Sequence, residues 1–272
     1  MTAELWASAL FAGLVAIGVT LAIEKFGGRA GGLIGTMPST IVPASVGFHL
    51  SATSVEGARE ALLAVPFGMA VNVLFLWSWA VLPPRIKSPW RLAKVLLGGL
   101  SLWALAAASC TLLLNRISWD LGGPAIAMTL AIVLLGGWAC RGAPQSPAGH
   151  RKVSILSLIS RGWMAASAIG VAIWLSDQSP VLAGMASVFP AIFLTTMVSL
   201  WMAQGEAVQA GAVGPMMLGS SAVAVYALLA SVALPAMGLL WGCVAAWVGS
   251  VGLATLPAWW WVQRQPIGKS TG

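Results

Sequence analysis

The sequence predicts an all-α, polytopic membrane protein of about nine transmembrane helices, built as an inverted 4+1+4 repeat. Three observations carry that prediction. Apolar residues make up 59% of the 272 and charged residues only 8%, against roughly 25% charged in a soluble domain. So few charges cannot cover a water-facing surface, and lipid is the expected solvent. The basic residues fall almost wholly on one side of the apolar runs, and the chain aligns with itself at a shift of 149 residues without a gap.

Runs long enough to cross roughly 30 Å at about 1.5 Å per residue lie near 4–23, 28–50, 55–82, 91–113, 121–140, 154–175, 180–203, 207–232 and 236–261. No Lys or Arg precedes the first run, so a retained span is expected there in place of a cleaved leader. Thr53-Ser54-Val55-Glu56 reads as a capping box before the third. Ser88-Pro89 and Ser179-Pro180 put a cap residue before an N1 proline at the fourth and seventh.

Counting basic residues fixes an orientation. Lys25, Arg29, Arg85, Lys87, Arg91, Lys94, Arg141, Arg151, Lys152, Arg264 and Lys269 adjoin the loops after odd-numbered spans. Only Arg59 and Arg116 fall on the other side, with Arg161 inside the sixth span. The positive-inside rule then predicts N-terminus out and C-terminus in. Trp77, Trp79, Trp90, Trp138, Trp201 and Trp259 to Trp261 sit near predicted inner ends, and Trp6, Trp119 and Trp174 near outer ends, as an aromatic belt requires. Trp103, Trp163, Trp241 and Trp247 lie deeper and are expected to pack between helices.

The shift of 149 brings Gly13 onto Gly162, Leu33 onto Leu182, Gly35 onto Gly184, Ala58 onto Ala207, Ala61 onto Ala210, Pro66 onto Pro215 and Trp77 onto Tyr226. It superposes spans 1–4 on spans 6–9. Equivalent spans are five apart, an odd number, so the halves cross in opposite directions. The expected division is a first repeat over 1–114, a connector helix and cytoplasmic loop over 115–152, and an inverted second repeat over 153–272. Gly184 to Gly205 (GMASVFPAIFLTTMVSLWMAQG), followed by an acid, resembles the GlpM-like small inner-membrane proteins. The resemblance implies two such units fused in a bacterial inner (plasma) membrane, covers spans 6–8 best and implies no substrate. The first half departs from it, with Thr40-Ile41-Val42-Pro43 in place of the Phe-Pro pair.

Each half contains one proline-broken, hydroxyl-rich stretch, Gly35 to Pro43 and Gly184 to Pro190, the second followed by Thr195-Thr196. Proline removes an amide donor and frees a carbonyl of the preceding turn. Paired interruptions at corresponding positions point to a binding site at a repeat interface. Thr36, Pro38, Ser39, Thr40, Pro43 and Ser45 in one half, and Ser187, Pro190, Thr195 and Thr196 in the other, are the candidate solute contacts, with Asn72 beside them. The bland alternative is a kink healed by a back-bonding hydroxyl. Arg161, Glu206, His49 and Glu60 are the candidate charge or coupling groups. Arg161 either snorkels, meets an anion or pairs with Glu206. Asn72 serves equally well as a helix–helix hydrogen bond. Gly27, Gly31 and Gly35, and Gly211 with Gly219, keep the spacing of tightly packed helices.

Cys110, Cys140 and Cys243 lie in separate apolar segments and are expected to be inert thiols. No phosphate-binding loop, dinucleotide fingerprint, zinc or serine-nucleophile motif occurs. The methionines read as filler. The expectation is therefore a non-enzyme without cofactor or metal. Its expected activity is transport or export of a small neutral, zwitterionic or anionic solute by alternating access. The alternatives are a lipid-binding or lipid-translocating protein and an accessory subunit. Expected partners are the solute and membrane lipids, with a homo-oligomer open and nucleic acid excluded despite the net charge of +7.

Overall fold

The computed structural model describes residues 7–14, 17, 37–116, 120–141, 155–175 and 178–265, apart from the side chains of 155–158, 161, 203, 204, 207 and 208. Thr36 and the glycine run Gly27–Gly35 lie outside them. The described chain is helical throughout. After a helical segment at 7–14 come α1 (Ile41–Ser51), α2 (Val55–Val81), α3 (Arg91–Leu114), α4 (Gly122–Ala139) and α5 (Ile155–Leu175). Then follow α6 (Pro180–Ser187), α7 (Ala191–Gln204), α8 (Glu206–Gly219), α9 (Ser221–Ser250) and α10 (Leu256–Arg264). Among the described residues, five stretches are long and apolar enough to cross a membrane: Val55–Arg85, Arg91–Leu114, Gly122–Ala139, Pro180–Met202 and Gln209–Arg264. These are the dimensions of an integral membrane protein.

The helix boundaries follow local chemistry. Ser179 caps α6 by accepting the Leu182 amide, with Pro180 at the first helical position, where a missing amide costs nothing. At α2 the cap stands one residue later than the capping-box reading. Ser54 Oγ accepts the Gly57 amide at 3.0 Å, and Glu56 turns instead to Arg59, 2.8 Å away. A five-residue π turn, Val251–Thr255, precedes α10, whose second residue is Pro257. A proline there has no amide to return to the preceding turn.

The bundle is organised around α2. Of its span, 83% is buried, against 11% of α3 and 22% of α4. Helices α6, α9, α3, α4 and α8 all pack on it, and Val65, Phe75, Leu76 and Trp79 are fully enclosed. By contrast α3 and α4 turn Leu97, Leu105, Leu112, Leu113, Leu130 and Leu134 outward, the surface a lipid solvent wants. Trp163 and Trp241 join that outer surface at 75% and 65% exposure, so the expectation that they pack between helices is corrected. Trp103 does pack inward. An aromatic ring facing acyl chains meets no desolvation cost, so depth in a span does not imply burial in protein.

Helix α9 doubles back on itself. Gly238 takes φ 76°, ψ 173° inside it, three residues after Pro235. Beyond the turn, a Cβ on Gly242 would meet the Leu234 backbone, and one on Gly249 the Leu229 side chain. The two arms are thus antiparallel, and the turn falls a few residues later than the boundary drawn from hydropathy. That backbone conformation is essentially restricted to glycine, yet a Cβ on Gly238 would meet nothing within 4 Å. Gly238→Ala therefore isolates the backbone cost: thermal unfolding in detergent should show a loss of about 1–3 kcal/mol with no packing change.

Candidate functional site

The second proline-broken stretch is pressed against α2 by small residues. A Cβ on Gly184 would strike the Ala61 carbonyl and the Ala64 side chain, and one on Gly68 would strike Val188. At this approach α6 ends, Val188 to Pro190 cross without helix, and α7 begins at Ala191. The Val188 carbonyl loses its intrahelical partner and accepts from Asn72 Nδ2 of α2 at 2.7 Å. Asn72 Oδ1 in turn accepts from the Trp103 indole of α3 at 2.8 Å. The Trp103 ring packs edge-on against Phe189, centroids 5.1 Å apart. Asn72 is 1% exposed and is the polar lock of the break.

The first stretch is locked in the same manner from the other half. Met37 to Thr40 form a turn, and α1 follows with Pro43 in its first turn. Ser45 Oγ, fully buried, bonds the Val42 carbonyl at 2.8 Å and the Tyr226 hydroxyl of α9 at 2.8 Å. Cys243 Sγ, on the return arm of the hairpin, lies 3.8 Å from it. No described hydrogen bond joins the two broken stretches directly; each is held by a long helix of the opposite half.

Most of the remaining hydroxyls serve their own turns. Ser187 bonds the Gly184 carbonyl at 2.7 Å, Ser39 the Met37 carbonyl at 3.3 Å, and Thr195 the carbonyls of Ala191 and Ile192. Thr196 differs: its buried Oγ1 has no partner among the described residues. Thr40 precedes α1 without capping it through its side chain, and Pro38, Pro43 and Pro190 are buried. The Arg161 side chain lies outside the described set. His49 and Ser45 line a small recess with Arg59 and Ser231, about large enough for one water. Glu60, half-buried, makes no ion pair among the described residues.

Two charge clusters occupy opposite ends of α2. At its start Arg59 bridges Glu56 at 2.8 Å and Asp120, just before α4, at 3.0 Å. Beyond its end Arg91 forks onto Glu206, with Nη1–Oε2 2.9 Å and Nη2–Oε1 3.0 Å, while Nε and Nη2 also donate to the Pro83 carbonyl. Glu206 thus pairs with Arg91, a residue that the sequence reading counted only as an orientation signal. The Arg91 guanidinium lies 5.9 Å from the Trp201 ring, and Trp201 packs edge-on against Trp79. Under them sits Gln209, fully buried, its Nε2 3.1 Å from Met197 Sδ and 3.4 Å from the Trp79 carbonyl. Gln209 Oε1 and Trp79 Nε1 have no partner among the described residues, at a cost of about 1–3 kcal/mol each if left so. Sequence reasoning missed this cluster. An amide in an apolar run, at Gln209 as at Asn72, was the available signal.

No protein-family model, no curated protein and no solved structure matches the chain, so the functional reading rests on this geometry.

Removing the lock tests its weight. Asn72→Leu leaves the Trp103 N–H and the Val188 carbonyl unpaired and should cost about 2 kcal/mol, seen as a lower melting temperature in detergent. Adding Trp103→Phe to it removes one of the two orphaned groups and should recover part of that loss.

Proposed function

We propose that the chain is a secondary transporter of a small solute, working by alternating access between two inverted halves. The observation that carries this reading is the crosswise tying of the two breaks. Asn72 of the first half holds Val188 of the second, and Tyr226 of the second holds Ser45 of the first. Broken helices seated at a repeat interface are how transporter folds build midplane sites. In a non-transporting scaffold, two such interruptions would add cost without purpose.

Further contacts support the inverted repeat. A Cβ on Gly13 would lie 2.9 Å from the Gly162 carbonyl, and one on Gly162 3.3 Å from that of Gly13. These two residues are paired by the shift of 149, and equivalent positions meet each other only beside a twofold axis. Gly99 approaches Ser78 between α2 and α3. The shift maps that contact to 248 and 227, next to the Gly249–Leu229 contact of the α9 hairpin. The GlpM-like resemblance of the second half fits the same picture, with one unit per half.

The charge clusters supply gates in this reading. With the basic side of the chain inside, Arg91–Glu206 closes the cytoplasmic end and Arg59–Asp120 the outer end, so the conformation is occluded. Half-exposed pairs of this kind are worth about 1 kcal/mol or less, weak enough to open. Inward of Glu60, the buried path between them carries no unpaired described charge, which favours a neutral or zwitterionic solute; an anion would need Arg161. Membrane lipids are the surrounding partner, and no enzymatic group is required.

The test needs no substrate. A cysteine is placed at Ser187 in a chain lacking Cys110, Cys140 and Cys243, and labelled in oriented vesicles with an impermeant maleimide. Arg91→Gln should speed labelling from the inner face, and Arg59→Gln from the outer face, each by up to roughly fivefold, the factor for about 1 kcal/mol of lost closure. Equal, slow labelling from both faces in every variant would refute the transporter reading.

A further inference from the structure

The cluster under the Arg91–Glu206 pair has unsatisfied hydrogen-bonding capacity of a definite kind. Trp79 and Gln209 are both 0% exposed and touch, since Gln209 Nε2 reaches the Trp79 carbonyl. Among the described residues they leave one donor, the Trp79 indole N–H, and one acceptor, Gln209 Oε1, unused. The Gln209 amide is not better served the other way round. Its Nε2 faces a thioether and a carbonyl, both acceptors, and turning the amide would set oxygen against oxygen.

An apolar bundle that only needed packing would place Leu or Met at 209, because buried polar groups without partners destabilise. We propose that Trp79 and Gln209 form a binding position for a neutral solute group that both accepts and donates a hydrogen bond, a hydroxyl or a primary amide. The indole N–H donates to the ligand and Oε1 of Gln209 accepts from it. The surroundings exclude charge: Arg91 and Glu206 neutralise each other, and Met197, Phe75 and the two tryptophan rings offer no counter-ion. A bare carboxylate or ammonium would enter unpaired.

The position also lies on the solute path. Asn72 and Trp79 are seven residues apart on α2, so they share a face about 10 Å apart along the helix. The Trp79–Gln209 position is therefore one step inward of the α6–α7 break, and Trp201 with the Arg91–Glu206 pair closes it from the inner end. This inference deepens the transport reading and rests on it for the purpose of the site, though the binding itself does not.

The experiment is ligand-dependent melting of the detergent-purified full chain with millimolar erythritol and acetamide as probes, and acetate and methylammonium as charged controls. Wild type should gain roughly 3–5 °C at about ten times the dissociation constant of an active neutral probe, and nothing from the controls. Gln209→Met, which keeps the side chain's length and removes the orphan acceptor, should fold, melt no lower than wild type without probe, and lose the shift. Trp79→Phe should lose the shift whatever its own melting temperature.

No response of wild type to either neutral probe would overturn the proposal and leave a resident water as the partner of both groups. So would a shift that survives in both variants, or an equal shift from acetate. The maleimide labelling at 187 is independent of any ligand, so a chain that passes it and fails here loses this position and not the transport reading.

Discussion

A carbonyl released by a helix break inside an apolar bundle must find a donor, and the architecture depends on Val188 finding one in Asn72. That bond requires α2 to lie almost against the backbone of α6, which only Gly184 and Gly68 allow. It also orients Trp103, whose indole satisfies the amide's other end and whose ring covers Phe189. Three helices are thereby fixed by one buried amide. The Ser45–Tyr226 bond does the equivalent for α1 and the α9 hairpin. In lipid, where burial of apolar surface gives helices no reason to prefer protein neighbours over acyl chains, such bonds and close glycine contacts set the arrangement.

The same logic explains the ends of the bundle. The described ion pairs lie at the termini of α2 and its partners, where they still reach headgroup water, and two of them run between helices, Arg59–Asp120 and Arg91–Glu206. Beyond Glu60, α2 carries only neutral polar groups as far as the second cluster. A path of amides, hydroxyls and indole N–H groups with weak ion pairs at either end is suited to pass polar but uncharged matter.

How much of this the sequence disclosed varied by residue. The apolar runs, the Ser179-Pro180 start of α6 and the break before Pro190 were readable because proline and cap chemistry act locally. Asn72 was visible as an amide in an apolar span, but its partner lies 116 residues away, and no local rule points there. Ser187 and Thr195 illustrate the reverse. A hydroxyl beside a proline looks available, yet in a helix it most readily bonds its own preceding turn. Arg91 was counted for its charge alone, because pairing with Glu206 follows from α3 and α8 both packing on α2 and not from spacing along the chain. The outward-facing Trp163 and Trp241 were misassigned because depth in a span was taken as burial. Gly35 and Thr36, where the first break begins, are outside the described residues.

The most direct test of the account is whether the two ends of the bundle open in alternation. Pairs of spin labels at Trp90 and Met202, and at Val55 and Gly123, all exposed positions, report the inner and outer ends by pulsed electron resonance in lipid nanodiscs. The account predicts that Arg91→Gln lengthens the inner distance while the outer stays short, and that Arg59→Gln does the opposite. A single unchanged distance at both ends, in wild type and in both variants, would contradict it.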